Sequence, residues 1–474
     1  MPLNVPFENS YAQLPERMYA RLNPTPVRMP ELLAFNRPLA NELGISGTES
    51  ATELAQIFAG NIIPEGADPI SQAYAGHQFG NFVPSLGDGR AVLLGEVIDT
   101  NGQRKDIQLK GSGRTPFSRN GDGRAWLGPA LREYVVSEAM HALGIPTSRA
   151  LAAVTTGETI VRQEGAVPGA VITRVASSHI RIGTFQYFAA RGDQEAVGEL
   201  LNHAINRHYP QAESPLDFLR HVIDRQIELV SKWLGVGFIH GVMNTDNTLI
   251  SGETIDYGPC AFLDRHHPET VFSSIDNFGR YAFDNQSNVL VWNIAQLASS
   301  LLILEADPDR VLNEYEEVVH AMPNRLEQER IKVFGKKLGI SDIRQGDQTV
   351  IDQLLSIMTD QQADFTNTFR SLATGSAPFG LTAASDYKDW EKSWKRRLDA
   401  EHSPDETMLS ANPALIPRNH RIEQMITAAV SGDLSVFMRL MDALSKPFAD
   451  NPEFSDLALP PEIHEEVEAT YCGT

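Results

Sequence analysis

Gly237-Phe238-Ile239-His240-Gly241-Val242-Met243-Asn244-Thr245-Asp246-Asn247, with Thr254-Ile255-Asp256-Tyr257-Gly258 shortly after it, is the stretch on which the fold turns. An apolar strand end runs into a polar loop carrying one histidine, two asparagines and an aspartate. Nine residues beyond Asn247 comes Asp256, in a second strand end. Asn and Asp on adjacent strand ends can share one Mg2+ through their oxygens. The plainer alternative is an Asn/Asp-rich turn closing a hairpin, with Ser251-Gly252 supplying the reversal. Alone, the stretch supports both readings equally.

What precedes it breaks the tie. Asp106-Ile107-Gln108-Leu109-Lys110 alternates polar and apolar, as a half-buried strand does, and ends on a lysine. The apolar run Ala91–Val97 comes before it, and Asn101-Gly102 between them is a hairpin turn. A helix is expected over 128–143, with Pro129 in its first turn, Gly144 at its end and Pro146 just beyond. It carries Glu133 and Glu138. A strand lysine followed by a helix glutamate is the arrangement of kinase-type sites, where the glutamate orients a phosphate-binding lysine. Periodicity does not choose between the two glutamates, and Glu138 lies nearer the apolar stripe. A lone strand-terminal lysine is usually a solvated face residue; Lys, Glu, Asn and Asp in that order are a stronger signal. A kinase catalytic loop reads H-R-D-x-x-x-x-N. His240 and Asn247 keep its spacing of seven, but Val242 stands at the aspartate position. A valine cannot accept a proton. A kinase-like fold without its usual base is expected, and Asp246 is the one carboxylate in the loop that could replace it.

No Walker A sequence and no G-x-G-x-x-G occurs. Gly87-Asp88-Gly89-Arg90 does occur, and Gly121-Asp122-Gly123-Arg124 repeats it 34 residues on. Gly-x-Gly lets backbone amides approach an anion, and Arg can fork onto phosphate oxygens. Each alone is more often an ordinary turn; two flanking the strand that ends in Lys110 point to function. Arg174 and Arg181 fall in one short polar connection, where two arginines beside a nucleotide site suggest phosphate clamps. No G-x-S-x-G elbow and no evident Cys–His pair competes with this reading.

The chain has 474 residues, with 61 acidic and 40 basic side chains and a net charge of −21. That balance excludes a general nucleic-acid coat or a cationic membrane peptide. An acidic chain that binds an anion must concentrate its arginines locally, at Arg90, Arg174 and Arg181. Two cysteines, Cys260 and Cys472, exclude a disulfide scaffold or a multi-cysteine metal site. The first residues lack the basic and apolar regions of a signal peptide, and no apolar run approaches the ~20 residues of a membrane span. A cytoplasmic protein is expected, with no membrane or nucleic-acid partner, and a monomer. Residues 1–75 are punctuated by prolines, with short helical stretches, and read as an extension wrapping something larger. Helices dominate from about 214, where Ser214-Pro215-Leu216-Asp217 resembles a capping box. Others are expected over 288–306, 309–321, 347–372 and 420–446. Strand-rich then helical order implies an α+β protein with two lobes.

The sequence resembles the selenoprotein O family, called YdiU in bacteria, a pseudokinase family. The resemblance covers nearly the whole chain. It is carried by Tyr74-Ala75-Gly76-His77-Gln78-Phe79-Gly80, both Gly-Asp-Gly-Arg tetrapeptides, His240 to Asn247, Asp256-Tyr257-Gly258-Pro259, Gly279-Arg280-Tyr281, Phe283-Asp284-Asn285-Gln286 and Asn412-Pro413-Ala414-Leu415. It implies a protein-kinase-like two-lobed fold with terminal extensions: residues 1–78 an N-terminal extension, 79–175 the N-lobe, 176–400 the C-lobe and 401–474 a C-terminal helical region. It also implies transfer of AMP, not phosphate, from an inverted ATP to Ser, Thr or Tyr hydroxyls of protein substrates, with release of pyrophosphate. By motif, Lys110 would bind phosphate and Glu133 orient it. Gly87, Gly89, Arg90, Asp122, Gly123, Arg174, Arg181 and Asp256 would line the nucleotide. Asn247 and Asp256 would hold Mg2+ or Mn2+, and Asp246 would be the base. The alternatives are a catalytically silent ATP-binding scaffold and a kinase-like phosphotransferase. Family members often carry a C-terminal cysteine or selenocysteine, a position Cys472 fits. Cys260 stands where relatives place an aromatic, and no cysteine occurs near Phe272-Ser273-Ser274, so a regulatory disulfide is doubtful.

Overall fold

The expected hairpin lies in the middle of the main sheet. In the computed structural model, which describes residues 3–47, 49–162 and 165–471, the strands run in chain order β1 (Tyr19–Arg21), β2 (Glu31–Phe35), β3 (Ile70–Gln72), β4 (Gly76–Gln78), β5 (Asn81–Val83), β6 (Ala91–Ile98), β7 (Arg104–Lys110), β8 (Ala125–Trp126), β9 (Arg149–Arg162), β10 (Gly165–Ala176), β11 (Phe238–Ile239) and β12 (Ala261–Phe262). β6 and β7 pair antiparallel, with Ala91 opposite Lys110. Asp99 Oδ1 accepts from the amides of Asn101 and Gln103, both at 2.8 Å, and Gly102 takes a φ of +75° that few other residues tolerate.

The main sheet is antiparallel, in the order β1-β3-β6-β7-β10-β9-β2, with β8 paired to β10. The chain is thus mixed α and β with antiparallel sheets. Two expectations change. The proline-rich N-terminal segment joins the sheet: β1 and β3 extend one edge, and β2 forms the other against β9. Strands of three residues between prolines are too short to show a period. Arg174 lies not in a loop but within β10, opposite Gln108 of β7, because β10 runs on to Ala176.

Helices pack on both faces of the sheet, since neighbouring residues of one strand, Leu93 and Leu94 or Val171 and Ile172, enter different cores. α1 (Arg37–Glu42) and α2 (Ala51–Phe58) pack with Leu94, Ile107 and Val171 of the sheet in a small core. α3 (Leu127–Ala142), α4 (Ile182–Ala189), α5 (Gln194–His208), α6 (Pro215–Val236) and α7 (Gln286–Leu301) contribute to the largest core. α6 starts as the sequence indicates, with Ser214 Oγ accepting from the Asp217 amide at 3.1 Å. It buries Val222, Ile223, Ile227 and Val230, each worth roughly 1.5–3 kcal/mol on removal from water. The stretch Gln286–Leu304 is long and apolar enough to cross a membrane, contrary to the sequence-based expectation. Its Leu290, Ile294, Leu297 and Leu301 are spent on the core instead. Beyond it, the single helix expected over 347–372 breaks at Gln362, which takes a φ of +52°, into Asp347–Asp360 and Phe365–Ala373. The one expected over 420–446 breaks near Gly432 into Asn419–Val430 and Ser435–Leu444. A further helix, Ser385–Leu398, stacks Trp390 on Trp394 in a second core.

Candidate active site

Lys110 ends β7 where the sheet meets α3. Its Nζ donates to Glu133 Oε2 at 2.7 Å and to Asp256 Oδ1 at 2.8 Å. Arg174, one strand over, donates from Nε to Glu133 Oε1 and from Nη2 to the same Asp256 oxygen. Two cations and two carboxylates therefore interlock in a quartet, three of its members buried and Asp256 half-buried. The structure chooses between the glutamates: Glu138 turns away and accepts from Arg149 and Asn36. Burial alone would raise the pKa of Glu133 and Asp256; Arg174 and Lys110 outweigh it and hold both below the ordinary carboxylate range. Removing one partner from such a set leaves an uncompensated buried charge, which is strongly destabilising.

The polar loop is organised differently from a simple hairpin. β11 pairs with β12, Phe238 opposite Phe262, so Asn247 and Asp256 both lie on the long connection between these strands, not on adjacent strand ends. The connection is tied across by His240 Nε2 against the Ile255 carbonyl at 2.8 Å. Asn247 Nδ2 donates to the Val242 carbonyl at 3.0 Å. Asp256 adopts a φ of +62°, an uncommon conformation for a non-glycine residue.

Asp246 sits in the short turn Thr245–Asn247 and is buried. Its Oδ2 accepts from Gln78 Nε2 at 3.1 Å, and its Oδ1 is buried without a hydrogen-bond partner. Burial pushes its pKa up to about 6, against the opposing pull of the Gln78 bond and Arg181. Arg181, just before α4, donates from Nη1 to the Asp246 carbonyl at 3.0 Å. Its guanidinium lies 4.3 Å from the centre of the Tyr74 ring, 3.7 Å from Asp88 and 3.8 Å from Asp256.

These groups surround one open cavity of about 1070 Å3. Lys110, Arg174, Arg181, Asp246, Asn247 and Asp256 line it, together with Gly87, Gly89, Arg90, Asp122 and Gly123. Glu133 stands behind Lys110. The residues assigned from the motifs to nucleotide, metal and base are thus brought to one cavity, with Glu133 bonded to Lys110 and Arg174 of its lining, while Glu138 is not part of it. Sequence reasoning missed Tyr74, Gln78, Asp88 and Phe117, which also line the cavity. Tyr74 and Gln78 belong to a quoted motif that had no assigned chemistry, and Asp88 lay inside a quoted tetrapeptide. Phe117 gave no signal; its ring lies where a Cβ on Gly87 would fall, 2.3 Å away.

No group of three or more His, Cys, Asp or Glu among the described residues could hold a metal unaided. Mg2+ commonly uses only one or two protein carboxylates, completing its shell with water and substrate phosphates. The oxygen donors of Asn247 and Asp256, both on the cavity, fit that chemistry. Near the cavity mouth, Ile275 lies on a loop pinned by Thr470: its amide donates to the Phe272 carbonyl at 2.7 Å, and the Ser274 amide donates to the Thr470 carbonyl at 3.0 Å. Cys260 is buried; Cys472 lies outside the described residues.

Residues 2–445 match the family model described as protein adenylyltransferase SelO. The chain is 61% identical over 475 residues to a protein nucleotidyltransferase YdiU of Ruegeria sp. strain TM1040, covering 100% of both chains. Proteins of the same description from Ruegeria pomeroyi and Roseobacter denitrificans are 57% and 56% identical, again across 100% of each chain.

Proposed function

This chain belongs to the SelO family of protein adenylyltransferases, and from that premise we propose that it transfers AMP from ATP to Ser, Thr or Tyr hydroxyls of other proteins. The enzyme class, nucleotidyltransferase, follows from the family. The observation that carries the finer reading is the placing, on one cavity, of the Asp246 carboxylate, whose Oδ1 has no hydrogen-bond partner, together with the buried cations Lys110, Arg174 and Arg181.

The reaction forms a bond between the acceptor oxygen and the α-phosphorus and breaks the bond from that phosphorus to the bridging oxygen. Pyrophosphate leaves, and the acceptor proton passes to Asp246. A carboxylate with a pKa near 6 is suited to take it near neutral pH. Lys110, held by Glu133, with Arg90, Arg174 and Arg181, would neutralise charge developing on the phosphates. Gly87, Gly89, Asp122 and Gly123 would let the nucleotide approach the backbone. Asn247 and Asp256 would hold Mg2+ or Mn2+, which when bound would polarise the phosphate oxygens. The same reading takes the molecule as a two-lobed kinase-like body, divided at 79–175 and 176–400, with extensions over 1–78 and 401–474. It takes it as a cytoplasmic monomer without nucleic-acid or membrane partners, in keeping with its charge of −21.

Incubation with ATP labelled at the α- or the γ-phosphate tests the reaction. Label from the α position alone should enter protein, with AMP seen as the added mass. Label from the γ position would make the enzyme a phosphotransferase, and no transfer with intact binding would make it a scaffold. Asp256→Ala should abolish transfer; unchanged activity would remove Asp256 from the site.

A further inference from the structure

The motif Tyr74–Gly80 contributes more than a cavity wall. β4 and β5 form a small hairpin, with Gly76 opposite Val83 and Gln78 opposite Asn81. Alternate residues of a strand share a face, so Gly76 and Gln78 look the same way, and both meet Asp246. Gln78 Nε2 donates to Asp246 Oδ2. A Cβ on Gly76 would lie 2.5 Å from Asp246 Oδ1 and 2.9 Å from its Cγ. The carboxylate thus packs directly on the Gly76 backbone, in a space that any side chain would fill.

The hairpin is itself fixed. The His77 amide donates to Thr245 Oγ1 at 2.7 Å, one residue before Asp246, and the Phe79 amide donates to Asn244 Oδ1 at 3.1 Å. His77 Nδ1 lies 2.8 Å from Gln186 Nε2 of α4, and Gln186 Oε1 accepts from Thr245 Oγ1 at 2.6 Å. The Ala75 amide donates to the Gly183 carbonyl at 2.9 Å. Strand, turn and helix form one braced unit around a single carboxylate.

We propose that Gln78 and Gly76 are positioning residues that seat the Asp246 carboxylate, Gln78 holding Oδ2 by its amide and Gly76 leaving the space that Oδ1 occupies, so that the carboxylate keeps one orientation at the cavity wall. The inference rests on the reading of Asp246 as the proton acceptor. Gln78 touches no reacting atom in this role; it removes the rotational freedom of the group that does. Small misplacements of reacting groups cost large factors in rate, and a site holds its geometry only where the supporting residues lock it.

Gln78→Met keeps length and removes the donor. Steady-state kinetics with a protein acceptor should show kcat lowered on the order of 10- to 100-fold, with the KM for ATP and the melting temperature unchanged. Gly76→Ala should lower kcat at least as far; where it fails to fold, Gln78→Met decides. An unchanged kcat in Gln78→Met, or a loss confined to the KM for ATP, overturns the seat. A fall in melting temperature matching the loss of activity overturns it too, as a merely structural role. Asp246→Asn, measured alongside, separates the two readings. If it is inactive while Gln78→Met is normal, only the seat fails. If it retains wild-type kcat, the assignment of Asp246 fails first.

Discussion

Gly87-Asp88-Gly89-Arg90 and Gly121-Asp122-Gly123-Arg124 are the same four residues in two surroundings. Asp88 is 2% exposed; its Oδ2 accepts from the Gln72 amide at 3.1 Å and from Gln108 Nε2 at 3.2 Å, and its Oδ1 has no hydrogen-bond partner but lies 3.7 Å from Arg181 Nη2. Burial raises its pKa, with Arg181 pulling the other way. Asp122 is exposed and accepts from both terminal nitrogens of Arg162 at 2.9 Å. There burial also opposes ionisation, but Arg162 and the Arg124 amide prevail and lower the pKa. Arg124 donates to the carbonyls of Thr25 and Pro26 at 3.1 and 3.3 Å, tying the second tetrapeptide to the N-terminal segment. Identical sequence thus gives an internal strut in one copy and a surface clasp in the other. The difference comes from what the sheet and the N-terminal chain place around them.

The contrast can be broken most forcefully at the glycines. Gly123 has a φ of +71°, and a Cβ there would lie 2.2 Å from the Gly113 carbonyl, which is backbone and cannot swing aside. Gly123→Ala should cost well over the ~1–2 kcal/mol of the left-handed conformation, read by urea denaturation, and should abolish ATP binding by calorimetry. Gly87→Ala meets the Phe117 ring, a movable side chain, and should cost less. Gly102→Ala, with a φ of +75° and nothing within 4 Å, gives the cost of conformation alone. Equal losses at all three would dissolve the distinction.

The arginines come next. Arg90→Ala should raise the KM for ATP about tenfold, some 1.4 kcal/mol, while Arg124→Ala should lower the melting temperature and leave that KM within about twofold. Equal rises in KM would make the tetrapeptides equivalent after all. For the aspartates, Asp88→Ala strands two buried donors and should cost roughly 1–3 kcal/mol. Asp122→Ala breaks an exposed pair and should cost about 0–1 kcal/mol. The smallest effect is the most diagnostic. Asp88 has its folded pKa above the unfolded value, so its contribution to stability is present at low pH and declines as pH rises through that window. Asp122 has its folded pKa below, so its contribution is present above the unfolded value and is lost as pH falls through the folded one. Denaturation of the wild type against each Asp→Asn variant, from acid to neutral pH, should give slopes of opposite sign; slopes of one sign would contradict the assigned surroundings.

The tetrapeptides also show how much of the site was legible in advance. Spacing pointed to Lys110, Asn247 and Asp256, and the structure brings all three to one cavity. Periodicity could not separate Glu133 from Glu138, since both lie on a helix that is buried over most of its surface; the choice is made by Lys110 and Arg174 on other elements. The Gln78 contact was invisible because its partner is 168 positions away. In the fold, the 91–110 hairpin and α6 were legible from their own turn and cap residues. The pairing of β1, β2 and β3 into the sheet was not, for it depends on backbone groups of distant strands. The breaks at Gln362 and Gly432 fall where apolar spacing continues across a change in backbone direction.

The edge strand β2 has a consequence in time. Glu31 pairs with Thr155 and Phe35 with Ala152, so the partner of β2 is made more than a hundred residues later. At roughly 5–20 residues per second of synthesis, the Glu31–Phe35 edge waits about 5–25 s on the ribosome with its backbone groups open. A chain whose central hairpin can close early must therefore keep its first segment soluble and unpaired, and the prolines at 24, 26, 30 and 38 are suited to that wait, since they deny a neighbouring chain a regular ladder.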